Sequence, residues 1–146
     1  MKKVLILLFI VFTTLIAEDI QAINVEVLEK DKIVKITKTD RNNLYLLTII
    51  GNDGNITIEI KNKRIKKGDD IMLMVYKGKS LHYNVNEFVD NGIVVITGDK
   101  AEEILYSLYD VDFLHLYIND VASGSFVITR LGTELRKYQK YFGTGY

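Results

Sequence analysis

Two histidines, His82 and His115, are the side chains of this sequence best suited to proton transfer or metal ligation near neutral pH. Two imidazoles and a carboxylate would suffice for zinc, but no His-x-x-x-His or similar close pair is present, so no metal site is expected. His115 stands among Phe113, Leu114, Leu116 and Tyr117, where an imidazole is expected to be a half-buried, hydrogen-bonded strand residue. His82 follows a turn and is expected at a strand edge. Ser80, Ser107, Ser123 and Ser125 are the only serines, and none lies in a Gly-x-Ser-x-Gly setting that would expose a nucleophile. Ser123-Gly124-Ser125 reads as a strand start or a bulge. Asp110 and Asp112 offer the paired carboxylates of a glycosidase, yet a solvated turn after a helix accounts for them. Asn52, Asp53 and Asn55 supply one carboxylate where a calcium loop alternates ligands over about twelve residues. Gly51-x-x-Gly54 lacks the Gly-Lys-Ser/Thr of a phosphate loop. No catalytic residue and no cofactor is expected.

The tyrosines are better candidates, because a ring with an apolar face and a polar tip suits a binding surface. Of the nine, Tyr106, Tyr109, Tyr138 and Tyr141 fall on or beside helical segments. With His115 and Tyr117 they form the candidate binding set. Phe113, His115 and Tyr117 alternate with Leu114, Leu116 and Ile118, so both faces of that strand are apolar or aromatic. Such a strand is expected between a sheet and a helix; the alternative is that one face receives a ligand.

These residues sit in a chain of ordinary globular composition. It has 146 residues, 48% hydrophobic and 26% charged, with 19 basic against 19 acidic side chains. That excludes a disordered or collagen-like chain and a polytopic membrane protein. A net charge of zero argues against nucleic acid as a partner. The charge is uneven: residues 30–79 are basic, and Lys100 is the only basic residue of 80–129. The absence of cysteine excludes a disulfide scaffold and a thiol nucleophile. Proline is also absent, and lysine far outnumbers arginine, the bias of an AT-rich bacterial genome.

The N-terminus has a targeting layout. Lys2 and Lys3 precede the apolar run 4–16, and Ala17 follows. A basic start, a short apolar stretch and a small residue describe a secretory signal peptide, and the run is shorter than the 20 or so residues of a membrane span. Residues 1–17 are therefore expected to be removed, or 1–22 if cleavage follows Ala22. The remaining 18–146 is expected to be one β-rich domain, exported to the periplasm or beyond, with no stable membrane span once the leader is cut.

Alternation places strands at 23–27, 33–36, 44–50, 56–60, 71–76, 81–85, 93–97, 113–118 and 126–129. Gly51-Asn52-Asp53-Gly54-Asn55 closes a hairpin over 44–60, and Gly78 turns 71–76 into 81–85. Asp99, with Glu102 three residues on, reads as the capping box of a helix whose apolar face is Ala101, Ile104, Leu105 and Leu108. A second helix is expected over about 133–142. The fold class is therefore mainly β with two short helices: an antiparallel, Greek-key-like β-sandwich with a helix between late strands and a C-terminal helix. A barrel of the oligonucleotide/oligosaccharide-binding type is the less fitting alternative.

From residue 44 to 142 this order of elements resembles small exported bacterial proteins, the invasion-associated locus B group and the exported accessory proteins of type VI secretion. The correspondence runs through the paired strands 46–50 and 56–60, a strand 71–77 ending in a Gly-Lys turn like Gly78-Lys79, a helix like 102–108, a strand like 113–118, and a final strand 124–129 leading to a helix 133–141, with Phe126 and Gly132 among the shared residues. Those groups often carry a cysteine pair, and an acidic residue before the Gly-Lys turn, where this chain has no cysteine and has Tyr76 and Lys77. The resemblance implies an exported β-sandwich with no catalytic residues to carry over. The function expected is that of a non-enzymatic envelope binding or accessory module, with an envelope protein or glycan as partner. A small envelope hydrolase using an acid/His site is the alternative.

Overall fold

The computed structural model describes residues 23–143. The leader and both candidate cleavage positions lie outside the described residues, as does Tyr146. Strand β1 is Asn24–Leu28, β2 Ile33–Thr39, β3 Leu46–Asn52, β4 Asn55–Lys61, β5 Ile71–Tyr76, β6 Ser80–Asn84, β7 Val89–Asp90, β8 Ile93–Thr97, β9 Phe113–Ile118 and β10 Val121–Val127. Helix α1 is Gly98–Ser107, α2 Leu131–Lys137 and α3 Gln139–Phe142.

Two antiparallel sheets result, one in the order β1-β2-β3-β4-β8-β7 and one in the order β10-β9-β5-β6. The alternation of side chains explains why they face each other. Val34 and Ile36 on β2, Leu47 and Ile49 on β3, Ile56, Ile58 and Ile60 on β4, and Val94 and Ile96 on β8 all point one way and are buried. Ile71, Leu73 and Val75 on β5, Leu114 and Leu116 on β9, and Phe126 on β10 supply the facing layer. All belong to one hydrophobic cluster. Each fully buried aliphatic side chain contributes about 1.5–3 kcal/mol relative to exposure, so this layer is the main source of stability. The fold is β-sandwich-like, with its helices late in the chain, as the sequence predicts.

Local chemistry fixes the register. Asp53 (φ 47°) and Gly54 (φ 91°) are the two central residues of the β3–β4 turn, and Asn52 pairs with Asn55 across it. A two-residue turn with positive φ at both positions matches the twist of the strands it joins. The β9–β10 turn uses Asn119 (φ 51°) and Asp120 (φ 63°) in the same way.

Several boundaries differ from expectation. The α1 helix begins at Gly98 with Thr97 as its N-cap and no capping side-chain bond, so Asp99 lies in the first turn rather than at the cap. Its apolar face is as expected, with Ala101, Ile104, Leu105 and Leu108 buried. Strand β10 starts at Val121, five residues before the predicted 126, and contains a register shift between Ala122 and Gly124. The C-terminal helix is broken at Tyr138 (φ −112°, ψ 20°) into α2 and α3. The break lets the last turn settle on the β3–β4 hairpin. There the Gly54 amide donates to the Tyr141 carbonyl at 3.0 Å, and the Phe142 ring lies over Gly51.

Candidate functional site

The outward face of the four-stranded sheet gathers the chemistry-bearing side chains. Its register sets His82, Met74, His115 and Ser125 in one row across β6, β5, β9 and β10. The next row holds Asn84, Met72, Tyr117 and Ala122. Phe113 is 40% exposed on this face, and His115 and Tyr117 are half-buried. The expectation that the Phe113/His115/Tyr117 strand is sandwiched by a helix is therefore corrected. Leu114 and Leu116 face the core, and the Phe113, His115 and Tyr117 face is left partly open.

Beside β10 this face deepens into an open groove of about 480 Å³ lined by Arg41, Asn42, His115, Tyr117, Ser123 and Ser125, among others. Two local features build it. Asp40, 2% exposed, accepts hydrogen bonds from the amides of Leu44 (2.6 Å) and Tyr45 (2.8 Å), which folds the 40–44 loop tightly. The Arg41 amide then donates to the Ser125 carbonyl at 2.9 Å, so the loop forms one wall against the β10 edge. The bulge at Ala122–Gly124 forms the other. Gly124 permits it, because a Cβ there would come 3.1 Å from the Tyr45 ring.

Within the groove, Ser125 Oγ and His115 Nδ1 are hydrogen-bonded at 3.2 Å. Phe113 stacks on the same imidazole, with centroids 5.8 Å apart and planes 14° from parallel. The ring is thus held on two sides. Arg41 is exposed and makes no side-chain ion pair with the described residues. One cation, one imidazole, two hydroxyls, one carboxamide and one aromatic wall, with no acid among them, suit an anionic or hydroxyl-rich ligand.

The structure distributes the six candidate residues. His115 and Tyr117 meet in the groove. Tyr106 is on α1, where its hydroxyl donates to Glu102 at 2.6 Å. Tyr109 and Tyr141 are 4% and 6% exposed and belong to the core, though Tyr141 also lines, with Glu29, Lys32, Asp53 and Lys140, an open hollow of about 400 Å³. Arg136 covers Tyr109 at 5.2 Å and Lys140 covers Tyr141 at 5.1 Å. Tyr138 is half-buried beside Tyr141.

His82 and His115 share a face but stand two strands apart with Met74 between them. Among the described residues no group of three or more His, Cys, Asp or Glu side chains converges on a metal-sized site. Asp110, weighed with Asp112 as a carboxylate pair, is engaged by Arg136, with oxygens 2.8 and 3.1 Å from Nη2. Among the described residues no helix is long and apolar enough to cross a membrane. Arg41 and Asn42 escaped the sequence reading because nothing local marks them. Only the long-range pairing of the 40–44 loop with β10 brings them to His115.

No protein-family profile matches the chain, no curated protein matches it in sequence, and no solved structure matches it in fold.

Proposed function

We propose that this chain is an exported bacterial envelope protein that works as a binding or accessory module, without catalysis, and that the groove beside β10 takes an acidic glycan. The observation that carries this reading is the lining: Arg41 and His115 with Ser123, Ser125 and Asn42, beside Tyr117 and with no carboxylate among the described residues. Arg pairs with carboxylates through two parallel hydrogen bonds, hydroxyls and amides match sugar hydroxyls, and an aromatic face covers sugar C–H groups. The basic start and apolar run of residues 1–17 support export. The element order resembling the invasion-associated locus B and type VI secretion accessory proteins supports an accessory role over an envelope hydrolase.

The test is binding of the exported chain to carboxylated and neutral glycans from a bacterial envelope, measured by calorimetry. Binding to the carboxylated class, weakened about tenfold or more in Arg41→Ala and Tyr117→Ala, is the expected result, since each removes a main contact. Equal retention of neutral and acidic glycans, or unchanged affinity in Arg41→Ala, overturns it.

A further inference from the structure

Beyond residues 1–22, the sequence contains two methionines and two histidines, and all four lie on the outward face of the four-stranded sheet. Met72 and Met74 alternate with buried Ile71, Leu73 and Val75 on β5, so their thioethers share that face. The hairpin through Gly78 places His82 directly opposite Met74 and one diagonal step from Met72. Opposed side chains of an antiparallel pair have Cβ atoms about 4.5–5.5 Å apart, and diagonal neighbours remain within reach of long side chains. The imidazole leans along the diagonal, with His82 Nδ1 3.3 Å from Met72 Sδ.

A thioether is a poor hydrogen-bond acceptor, so this approach gains little as a hydrogen bond. The separation is close to that between two ligands of one ion. With zinc–imidazole and zinc–thiolate distances of about 2.0 and 2.3 Å as a guide, nitrogen and sulfur donors at a tetrahedral angle sit roughly 3.5 Å apart. Met74 can join them, because three rotatable bonds let its sulfur swing toward the opposite strand. The donor set is then two thioethers and one imidazole. It is soft and uncharged, with no thiolate or carboxylate, which suits copper(I) and not the hard ions magnesium or calcium. Thioethers also need no deprotonation, and unlike thiols they are not lost to disulfide formation outside the cytoplasm.

We infer that Met72, Met74 and His82 form a binding site for a single copper(I) ion. The site shares no residue with the glycan groove. His115, across Met74 on the other side, is held by Ser125 and Phe113 and belongs to the groove.

The test is an anaerobic titration of the exported chain with copper(I), supplied as its acetonitrile complex, in competition with a chromophoric copper(I) chelator. One equivalent is taken up by the wild-type chain. Met72→Leu, Met74→Leu and His82→Ala each weaken binding by about tenfold or more, as loss of a direct ligand costs at least what loss of a supporting contact does. Met72→Leu/Met74→Leu abolishes binding, whereas Tyr76→Ser, at an exposed position on the same strand, leaves it unchanged. Leucine preserves methionine's volume, so the variants keep their fold, and their melting curves verify this. Copper(I) raises the melting temperature of the wild type and not of the double variant. Failure to compete with the chelator, wild-type affinity in the double variant, or zinc bound more tightly than copper(I) overturns the inference.

Discussion

The Arg136 guanidinium reaches from α2 to Asp110 in the loop after α1, its Nη2 lying 2.8 and 3.1 Å from the two carboxylate oxygens. Asp110 holds a positive φ of 61°, and Lys77, from the β5–β6 turn, donates to the neighbouring Tyr109 carbonyl at 3.2 Å. Three separate elements are thereby tied at one point.

This pair gives a pH signature. The hydrogen bond from Arg136, and after it the charges of Arg136 and Lys77, hold the Asp110 carboxyl below its ordinary value. A carboxyl depressed in the folded state stabilises it above the unfolded value and loses that contribution as pH falls through the folded one. The affected window therefore lies below about pH 4. In melting curves recorded from pH 6 downward, Asp110→Asn and Arg136→Gln are expected to flatten the fall in melting temperature below that point. Added salt is expected to shrink the difference, since the pair is exposed. Wild-type and variant curves that stay parallel to pH 2.5 would remove Asp110 from the acid response.

The closure of the C-terminus on the sheet is a matter of one missing carbon. A Cβ on Gly51 would stand 2.7 Å from the Phe142 ring, which is 1% exposed. Gly51→Ala is expected to destabilise the fold by about 1–3 kcal/mol through overpacking. Phe142→Ala is expected to cost about 3–5 kcal/mol by leaving a cavity. The two changes touch the same space, so the double variant is expected to lose less than their sum. Urea unfolding of the four proteins measures this, and strict additivity would mean that the ring and the strand do not compete for that volume.

Asp40 couples stability to the groove. Its carboxylate satisfies the amides of Leu44 and Tyr45 from a nearly closed position. Asp40→Ala leaves those donors unpaired, at an expected cost of about 1–3 kcal/mol, whereas Asp40→Asn keeps one acceptor and loses less. Because the same loop carries Arg41 to Ser125, Asp40→Ala is also expected to weaken ligand binding at temperatures where the protein stays folded. Undiminished binding in a folded Asp40→Ala protein would show that the loop holds Arg41 without it.

Export is read from mass. The form recovered outside the cytoplasm is expected to lack residues 1–17 or 1–22, as intact-protein mass spectrometry would show. A membrane-free exported form that retains Met1 would contradict the leader reading.

The sheets were largely legible because each strand alternates cleanly. Ile56, Ile58 and Ile60 leave no choice of face, and 71–76, 93–97 and 113–118 match the strands residue for residue. The start of β10 was hidden. Its Asn119-Asp120 turn contains no glycine, and Ala122-Ser123-Gly124-Ser125 has weak strand preference. What holds it is cross-strand pairing with β9, together with Asn119, which accepts from the Asp70 amide at 2.9 Å. The site was legible only in part. His115 and Tyr117 stand out locally, but the Arg41 wall and the Met74–His82 pairing depend on registers no single segment reveals. The helical tyrosines are spread apart: Tyr109 and Tyr141 join the core, whereas Tyr106 and Tyr138 stay half-buried.

The interleaving of the two sheets has a consequence for how the chain is completed. After β4 the chain leaves the six-stranded sheet, lays down β5 and β6 in the other, and returns for β7 and β8. Strand β5 then waits for β9, across the whole of α1, before its second edge is paired. Two pairings, β4 with β8 and β5 with β9, join strands distant in sequence, the kind that forms slowly because loop closure precedes any gain from contact. No fragment ending before β9 contains a finished four-stranded layer. The face that carries the groove is therefore completed only when β9 and β10 are in place, whereas the methionine pair and His82 belong to the local β5–β6 hairpin.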